Sequence, residues 1–339
     1  MRKSTSRDVA ERAGVSRSTV SLVLSGSTQV SISHETRERV RAAAEALNYQ
    51  PNRAGRMLVR GDTETLGIIV TDPLLLAVDG FIALLLQAII ARSREGGYRV
   101  MIDYVSDDSQ RTYRDLMHEG AVDGLLVISP RTKDADLSAV IETGFPVVLV
   151  GGIGHPDEFS ISLPTRQAIR TLVDHLVALG HKRIAYVSFA PSDIFATHVR
   201  VGAYTASLAG HGIPFDPALV VHANYSAASG RDAVMALLEA PGQRPTAIMA
   251  GNDTVAIGAL RAIAEHGLRV PEDVSVVGFD DLPFAACLNP PLTTIHHDAD
   301  LRAQLAVQAL TRRIRGQTIE DRHLEVPAEL VVRSSTGHR

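Results

Sequence analysis

Eight short apolar runs, each followed by a helical stretch, fill the chain from Leu66 onward and restrict its fold more than any other feature. "LGIIVTD", "YRVMIDYV", "VDGLLVIS" and "FPVVLVGG" make a first set; "HKRIAYVSF", "ALVVHANY", "TAIMAGND" and "DVSVVGFDD" make a second. Continuous rather than alternating hydrophobicity marks strands buried on both faces. Between them, stretches such as "LPTRQAIRTLVDHLVALG" and "TVAIGALRAIAEHG" carry apolar residues at helical spacing. This alternation predicts two lobes, each a doubly wound parallel sheet. Ligands of such sheets bind beyond the carboxyl ends of the strands, so two lobes imply a cleft between them.

The first sixty residues are of another kind. Thr5 or Ser6 caps a predicted helix with Asp8 in its first turn and Val9, Ala10 and Ala13 on its inner side. Gly14 supplies the turn, Ser16 caps a second helix with Val20, Val23 and Leu24 inward, and Ser33 caps a third with Val40, Ala43, Ala44 and Leu47 as its stripe. Two short helices about a glycine turn, braced by a third, make a helix-turn-helix, whose second helix enters the DNA major groove. Arg17, Ser18 and Leu22 fall on the outer side of that helix. There arginine can pair with guanine O6 and N7, serine can donate or accept, and leucine can touch a thymine methyl.

The charge distribution agrees. The 339 residues carry a net charge of −4, yet residues 1–60 hold 11 Lys+Arg against 5 Asp+Glu and the rest hold 23 against 33. A basic head on an acidic body suits an arm that meets phosphates. The single cysteine, Cys287, excludes an internal disulfide and fits a reducing compartment. No apolar stretch follows the basic start as a signal peptide would require, so the expected localisation is cytoplasmic. The longest apolar run, 74–91, is broken by Asp79 and Gly80 and reads as a buried helix with a lead-in loop, with no membrane span.

The order of residues is more specific than the pattern. "DVAERAGVSRSTVSLVLSG", "SHETRERVRAAAEALNYQPN" and the following "RAGRML" resemble the LacI/GalR family of bacterial transcription regulators, and a looser similarity runs through nearly the whole chain. The resemblance implies an all-α helix-turn-helix head at 1–50, a hinge helix and linker at 51–63, and a periplasmic-binding-protein-like α/β body at 64–339. That body would bind the effector and dimerise. The implied function is a repressor that binds a near-palindromic duplex operator as a homodimer and answers to a sugar or sugar derivative in the inter-lobe cleft. Control by a protein corepressor is an alternative; a sugar carrier or an enzyme on the same body is another, against which the basic head speaks. The tail "VVRSSTGHR" has no heptads, which favours a dimer over a tetramer.

Residue by residue, the resemblance places DNA contacts at Thr5, Ser16, Arg17, Ser18, Ser21 and Leu22, and in the hinge at Asn52, Arg53, Gly55, Arg56 and Leu58. Leu58 holds the position of a leucine that wedges between central base pairs. A hinge of about eight residues is too short to hold as an isolated helix, and Gly55 weakens it by roughly 1 kcal/mol relative to alanine. For the effector, the family's clasping arginine matches Arg200 in "HVRVGAYTASL", and an aromatic position matches Tyr225. Asn252 and Asp280 follow strands, and His297 stands where glutamine is frequent. The family's Asn-Pro-Phe-Phe run is replaced by "TDPLLLAVDGF", where Asp72 or Asp79 can substitute. Arginine, carboxylate, amide and aromatic ring together suit a polyol. Asn252 and Asp253 equally suit helix capping. The lobes would be crossed near 158–163, 288–293 and 317–322.

No catalytic set, cofactor or metal is predicted. The chain has no G-x-G-x-x-G after its first body strand, no phosphate loop, no nucleophile elbow and no H-E-x-x-H helix. His296 and His297 are adjacent on an extended segment and point opposite ways.

Overall fold

The computed structural model describes residues 4–24, 31–49, 62–105 and 111–339. The chain falls into two compact units, Met1–Thr63 and Glu64–Arg339.

In the first unit, α1 (Ser6–Ala13) opens with a capping box. Thr5 Oγ1 accepts from the Asp8 N–H, and the Asp8 carboxylate accepts from the Thr5 N–H. Gly14 ends the helix at φ 66°, a conformation glycine adopts without penalty. Helix α2 (Arg17–Leu24) starts at Ser16, whose Oγ accepts from the Thr19 N–H. Helix α3 (His34–Ala46) starts at Ser33, whose side chain accepts from the Thr36 N–H. Val9, Ala10, Ala13, Val20, Val23, Val40, Ala43 and Ala44 close a small core between the three, with Leu24 and Leu47 at its margin. The predicted caps and stripes are therefore the observed ones.

The second unit holds two lobes. In the first, β1 (Thr65–Val70), β2 (Arg99–Tyr104), β3 (Gly124–Ile128), β4 (Val147–Val150), β5 (Ser160–Ser162) and β11 (His323–Glu325) form a parallel sheet in the order β11-β5-β4-β3-β1-β2. Alternate residues feed opposite faces, as the strand period dictates. Ile68 and Val70 pack with α5 (Gly80–Glu95), while Ile69, Leu125 and Val127 pack with α6 (Tyr113–His118) and α7 (Ala135–Glu142). Helix α12 (Ala299–Ile314) lies beside α5. β2 departs from the prediction: it is an edge strand, and Ile102 and Tyr104 are both 43% exposed. The run at 74–91 also differs in detail. Its lead-in is a short helix, α4 (Leu74–Val78), and Asp79 then caps α5.

In the second lobe, β6 (Ile184–Ser188), β7 (Val220–His222), β8 (Ala247–Ala250) and β9 (Ser275–Val277) form a parallel sheet in the order β7-β6-β8-β9. An antiparallel pair, β10 (Thr294–His297) and β12 (Ala328–Val331), is tied to it by bridges from Val277 to Thr293 and from Asp280 to His296. Helices α8 (Thr165–Ala178) and α9 (Phe195–Gly210) pack together, as do α10 (Ala227–Glu239) and α11 (Asp253–Glu265). The last pair touches backbone to backbone. A β-carbon on Gly258 would lie 2.0 Å from the Ala227 carbonyl oxygen, so only glycine permits this approach.

The chain crosses between lobes from β5 to α8, from β10 to α12 and from β11 to β12. The first crossing overlaps the end of the predicted 158–163, while the second and third lie a few residues beyond 288–293 and 317–322, because the short strands β10 and β11 belong to the lobes themselves. Among the described residues no helix is long and apolar enough to cross a membrane.

Candidate DNA-contacting face and ligand cavity

On the helix-turn-helix unit, Thr5, Ser16, Arg17, Ser18 and Ser21 are exposed and Leu22 is half-buried. They do not share one role. Thr5 is tied into the capping box, with Oγ1 2.8 Å from Asp8 Oδ2. Ser16 caps α2 and also meets Ser18 Oγ at 2.7 Å and Thr19 Oγ1 at 2.9 Å. Arg17 reaches back to Ser6, its Nε donating to Oγ at 3.4 Å, a long bond that leaves the guanidinium at the surface. Arg17, Ser18 and Ser21 thus form the exposed polar side of α2, opposite Val20 and Val23. Asn52, Arg53, Gly55, Arg56 and Leu58 lie outside the described residues.

In the two-lobed unit a cavity of about 70 Å³ opens at the start of α5 and the carboxyl ends of β3 and β4 on one lobe and at the carboxyl ends of β6, β8 and β9 on the other. Four of the seven residues predicted for the effector line it: Asp79, Arg200, Asn252 and Asp280. Phe81, Phe189 and Phe195 supply its apolar wall, and Arg302 enters it from α12.

Each polar group is held by its own element. Asp79 Oδ1 accepts the Phe81 and Ile82 N–H groups at 2.9 and 3.4 Å, capping α5 while facing the cavity. Burial, and then the charge of Asp280, push its carboxyl up to about 7. Arg200 is sandwiched between Phe279 and Phe189, its Cζ 3.8 and 4.6 Å from their centroids. Its Nη1 donates to the Gly251 carbonyl, and its Nε has no partner among the described residues. Asn252 spends its oxygen on the Val255 N–H at 2.8 Å, which caps α11, while its Nδ2 is buried with no partner among the described residues. The two readings of Asn252, cap and cavity group, thus hold together on different atoms. Burial pushes Asp280 up to about 7, against the opposing pull of Arg200 and Arg302.

Three predicted residues stand apart from the lining. Asp72 Oδ1 accepts the Leu74 N–H at 2.8 Å and turns the chain into α4. Tyr225 is 1% exposed and packs edge-on against Phe189, ring centroids 5.8 Å apart, so Phe189 is the aromatic wall and Tyr225 its backing. His297 lies behind Asp280, with Nε2 3.0 Å from Oδ1. Burial, then Arg302 and Arg200, hold its imidazole well below the usual range. It is therefore neutral, with Nε2 hydrogen-bonded to the Asp280 carboxyl group. His296 points outward to Asp281 at 3.0 Å, as the alternation of an extended segment requires.

Asp253, one residue from Asn252, is structural. Its carboxylate accepts from Thr294 Oγ1 at 2.6 Å and the Leu282 N–H at 2.8 Å, and burial pushes it up to about 8. The glycine-rich "GGIGHP" turn has four of its N–H groups occupied, that of Gly151 by the Ile161 carbonyl. Those of Ile153, Gly154 and His155 donate to Glu158 Oε2 at 2.9, 3.1 and 3.1 Å.

Two features escaped the sequence reading. Arg302 shares a helical face with Ala306, Ala309 and Leu310, all buried, so its spacing marks it as inward-facing. Ser129 and Asp280, both in the lining, hold positive φ values of 54° and 113°. Such backbone costs about 1–3 kcal/mol per residue and collects at functional sites.

A two-lobed body with a polar cavity at its strand ends, joined in one chain to a compact helix-turn-helix, is the architecture of a ligand-responsive transcription regulator. Residues 5–52 match the lacI family of bacterial regulatory proteins, and residues 173–336 match the periplasmic binding protein-like domain. The chain is 34% identical over 340 residues to the HTH-type transcriptional regulator CelR of Thermobifida fusca, covering 98% of each. Among solved structures, it resembles the lac repressor dimer bound to operator and the anti-inducer ONPF, with a TM-score of 0.86 and 33% identity, covering 99% of this chain and 100% of that one. It resembles a CelR–cellobiose complex with a TM-score of 0.74 and 31% identity, covering 98% and 99%. The chain belongs to the LacI family and is a transcriptional regulator.

Proposed function

We propose that this regulator is a repressor that binds a near-palindromic operator as a homodimer and is controlled by a small polyhydroxylated effector in the inter-lobe cavity. The observation that carries the effector half is the convergence of unspent polar atoms on one cavity. Buried donors almost always have partners. Here Arg200 Nε and Asn252 Nδ2 have none among the described residues, and both residues line the same space as Asp79 and Asp280. Donors and acceptors beside phenylalanine rings suit hydroxyl groups on a ring with one apolar face. The similar CelR structure is a cellobiose complex, which supports a sugar-like ligand.

The DNA half rests on the exposed polar side of α2. Arg17, Ser18 and Ser21 would read base edges, with Leu22 on the same helix and Thr5 and Ser16 near the phosphates. In this reading 1–50 is the reading head and 51–63 the hinge. There Asn52, Arg53, Gly55, Arg56 and Leu58 would meet the minor groove. The similar lac repressor structure is an operator-bound dimer, which supports two heads on two half-sites. Effector binding would favour one arrangement of the lobes over the other. Coupling of this kind is typically about 1–3 kcal/mol, and DNA must alter effector affinity by the same factor.

The test is selection of bound duplexes from a random pool by the full-length chain, with and without a panel of sugars. Recovered sites with two-fold symmetry, released or tightened by one sugar, agree with the proposal. Enrichment of no sequence contradicts the repressor reading.

A further inference from the structure

Arg302 lines the cavity with no side-chain hydrogen bond or ion pair to any described residue. It is 9% exposed and stands near the start of α12. Its Nε has no hydrogen-bond partner, and no carboxylate of a described residue lies within the 4.0 Å of an ion pair. Its nearest ring is Phe81, whose centroid lies 5.6 Å from Cζ. Asp280 acts on it only through space, and Oδ1 of that carboxylate is engaged by His297 at 3.0 Å. Burial draws the guanidinium down to about 10, which still leaves it charged at neutral pH. A buried cation without a contacting anion is unfavourable unless a ligand brings one.

We infer that the effector carries an anionic group that pairs with Arg302, so that the ligand is a small polyhydroxylated acid rather than a neutral sugar. This rests on the reading of the cavity as the effector site. A guanidinium offers two parallel N–H donors, which match the two oxygens of a carboxylate. Asp79 and Asp280 face the same cavity, so a singly charged carboxylate suits it better than a doubly charged phosphate. Asn252 Nδ2 and Arg200 Nε remain for the hydroxyl groups. Asp79, pushed up to about 7, is partly protonated near neutrality and so repels the ligand less than a full carboxylate would.

The experiment is titration calorimetry of the full-length chain with matched compounds. These are glucose, galactose and mannose, the corresponding uronic and aldonic acids, and glucose 6-phosphate and galactose 6-phosphate. Wild type, R302L and R302K are compared, and the melting curve of each without ligand reports folding. One acid binds wild type roughly tenfold or more tightly than its neutral counterpart, the scale of one charge-assisted pair. R302L loses that preference and R302K keeps part of it. An acid bound equally by R302L, or a neutral sugar preferred by wild type, overturns the inference while the cavity remains the effector site. Binding of a sugar phosphate alone overturns the carboxylate assignment. Binding of no compound, neutral or charged, removes the cavity reading and this inference together.

Discussion

Asp79 gives the sharpest test of the cavity's energetics. Its carboxyl is buried, faces Asp280 and is pushed from 3.8 up to about 7, first by burial and then by that neighbour. The protonated form is therefore the one the folded state favours. Between the unfolded and folded values the native state holds a proton that the unfolded chain has lost. Stability from this group accordingly falls as pH rises through that window and levels off above about pH 7. Asp79→Asn keeps the side-chain oxygen that accepts from Phe81 and Ile82, and asparagine caps helices as well as aspartate does. The substitution removes only the ionisation. The advantage of the variant over wild type should therefore grow with pH, by about 2 kcal/mol from about pH 5.5 to about pH 8, at roughly 1.4 kcal/mol per unit of pKa. Urea unfolding of both chains at the two pH values measures it. A stability difference that does not change with pH would refute the reasoning, since it would mean that Asp79 ionises as freely in the folded chain as in the unfolded one.

Three other substitutions probe separate parts of the structure. His297→Leu removes the hydrogen-bond partner of Asp280 and should destabilise the fold by about 1–3 kcal/mol, the cost of leaving a buried polar group unpaired, while His297→Gln should lose much less; chemical denaturation distinguishes them. Gly258→Ala drives a β-carbon into the Ala227 carbonyl and should cost roughly 3 kcal/mol or more in the same assay. Arg17→Ala should weaken binding to the selected operator by about 1–3 kcal/mol and relax one base position, measured by fluorescence anisotropy on single-base variants; an equal loss on every sequence would mean that Arg17 meets only phosphate.

Much of the fold is written in local patterns. Strands such as β1, β3 and β8 are buried at every residue, so their sequences are uniformly apolar and legible. "YRVMIDYV" misleads because an edge strand also tolerates apolar residues, and only the sheet order reveals which strand lies at the edge. Helix starts were legible where a short polar side chain precedes the apolar stripe, as at Thr5, Ser16 and Ser33. The cavity was half legible. Asp79 opens a helix and Asn252 and Asp280 follow strands, and position in a doubly wound sheet brings such residues to the cleft, whereas Arg200, in the second turn of α9, was marked by the family resemblance alone.

The remainder depends on geometry that no short segment encodes. Tyr225 and Phe189 touch, and which ring faces the cavity depends on how two loops stack, with Tyr225 held at φ 68°. His297 follows the expected alternation inward but stops behind Asp280 instead of beside it. Arg302 was overlooked because a charged residue near a helix start reads as solvated. Its phase relative to Ala306 and Leu310 was the signal available.

One titration tests the symmetric grip on DNA: anisotropy of the full-length chain on the selected duplex over a range of salt concentrations. The affinity should fall linearly on logarithmic axes, by roughly 0.9 for each phosphate neutralised, with two chains bound per duplex. Affinity indifferent to salt, or one chain per duplex at saturation, would contradict a symmetric pair of basic heads gripping DNA.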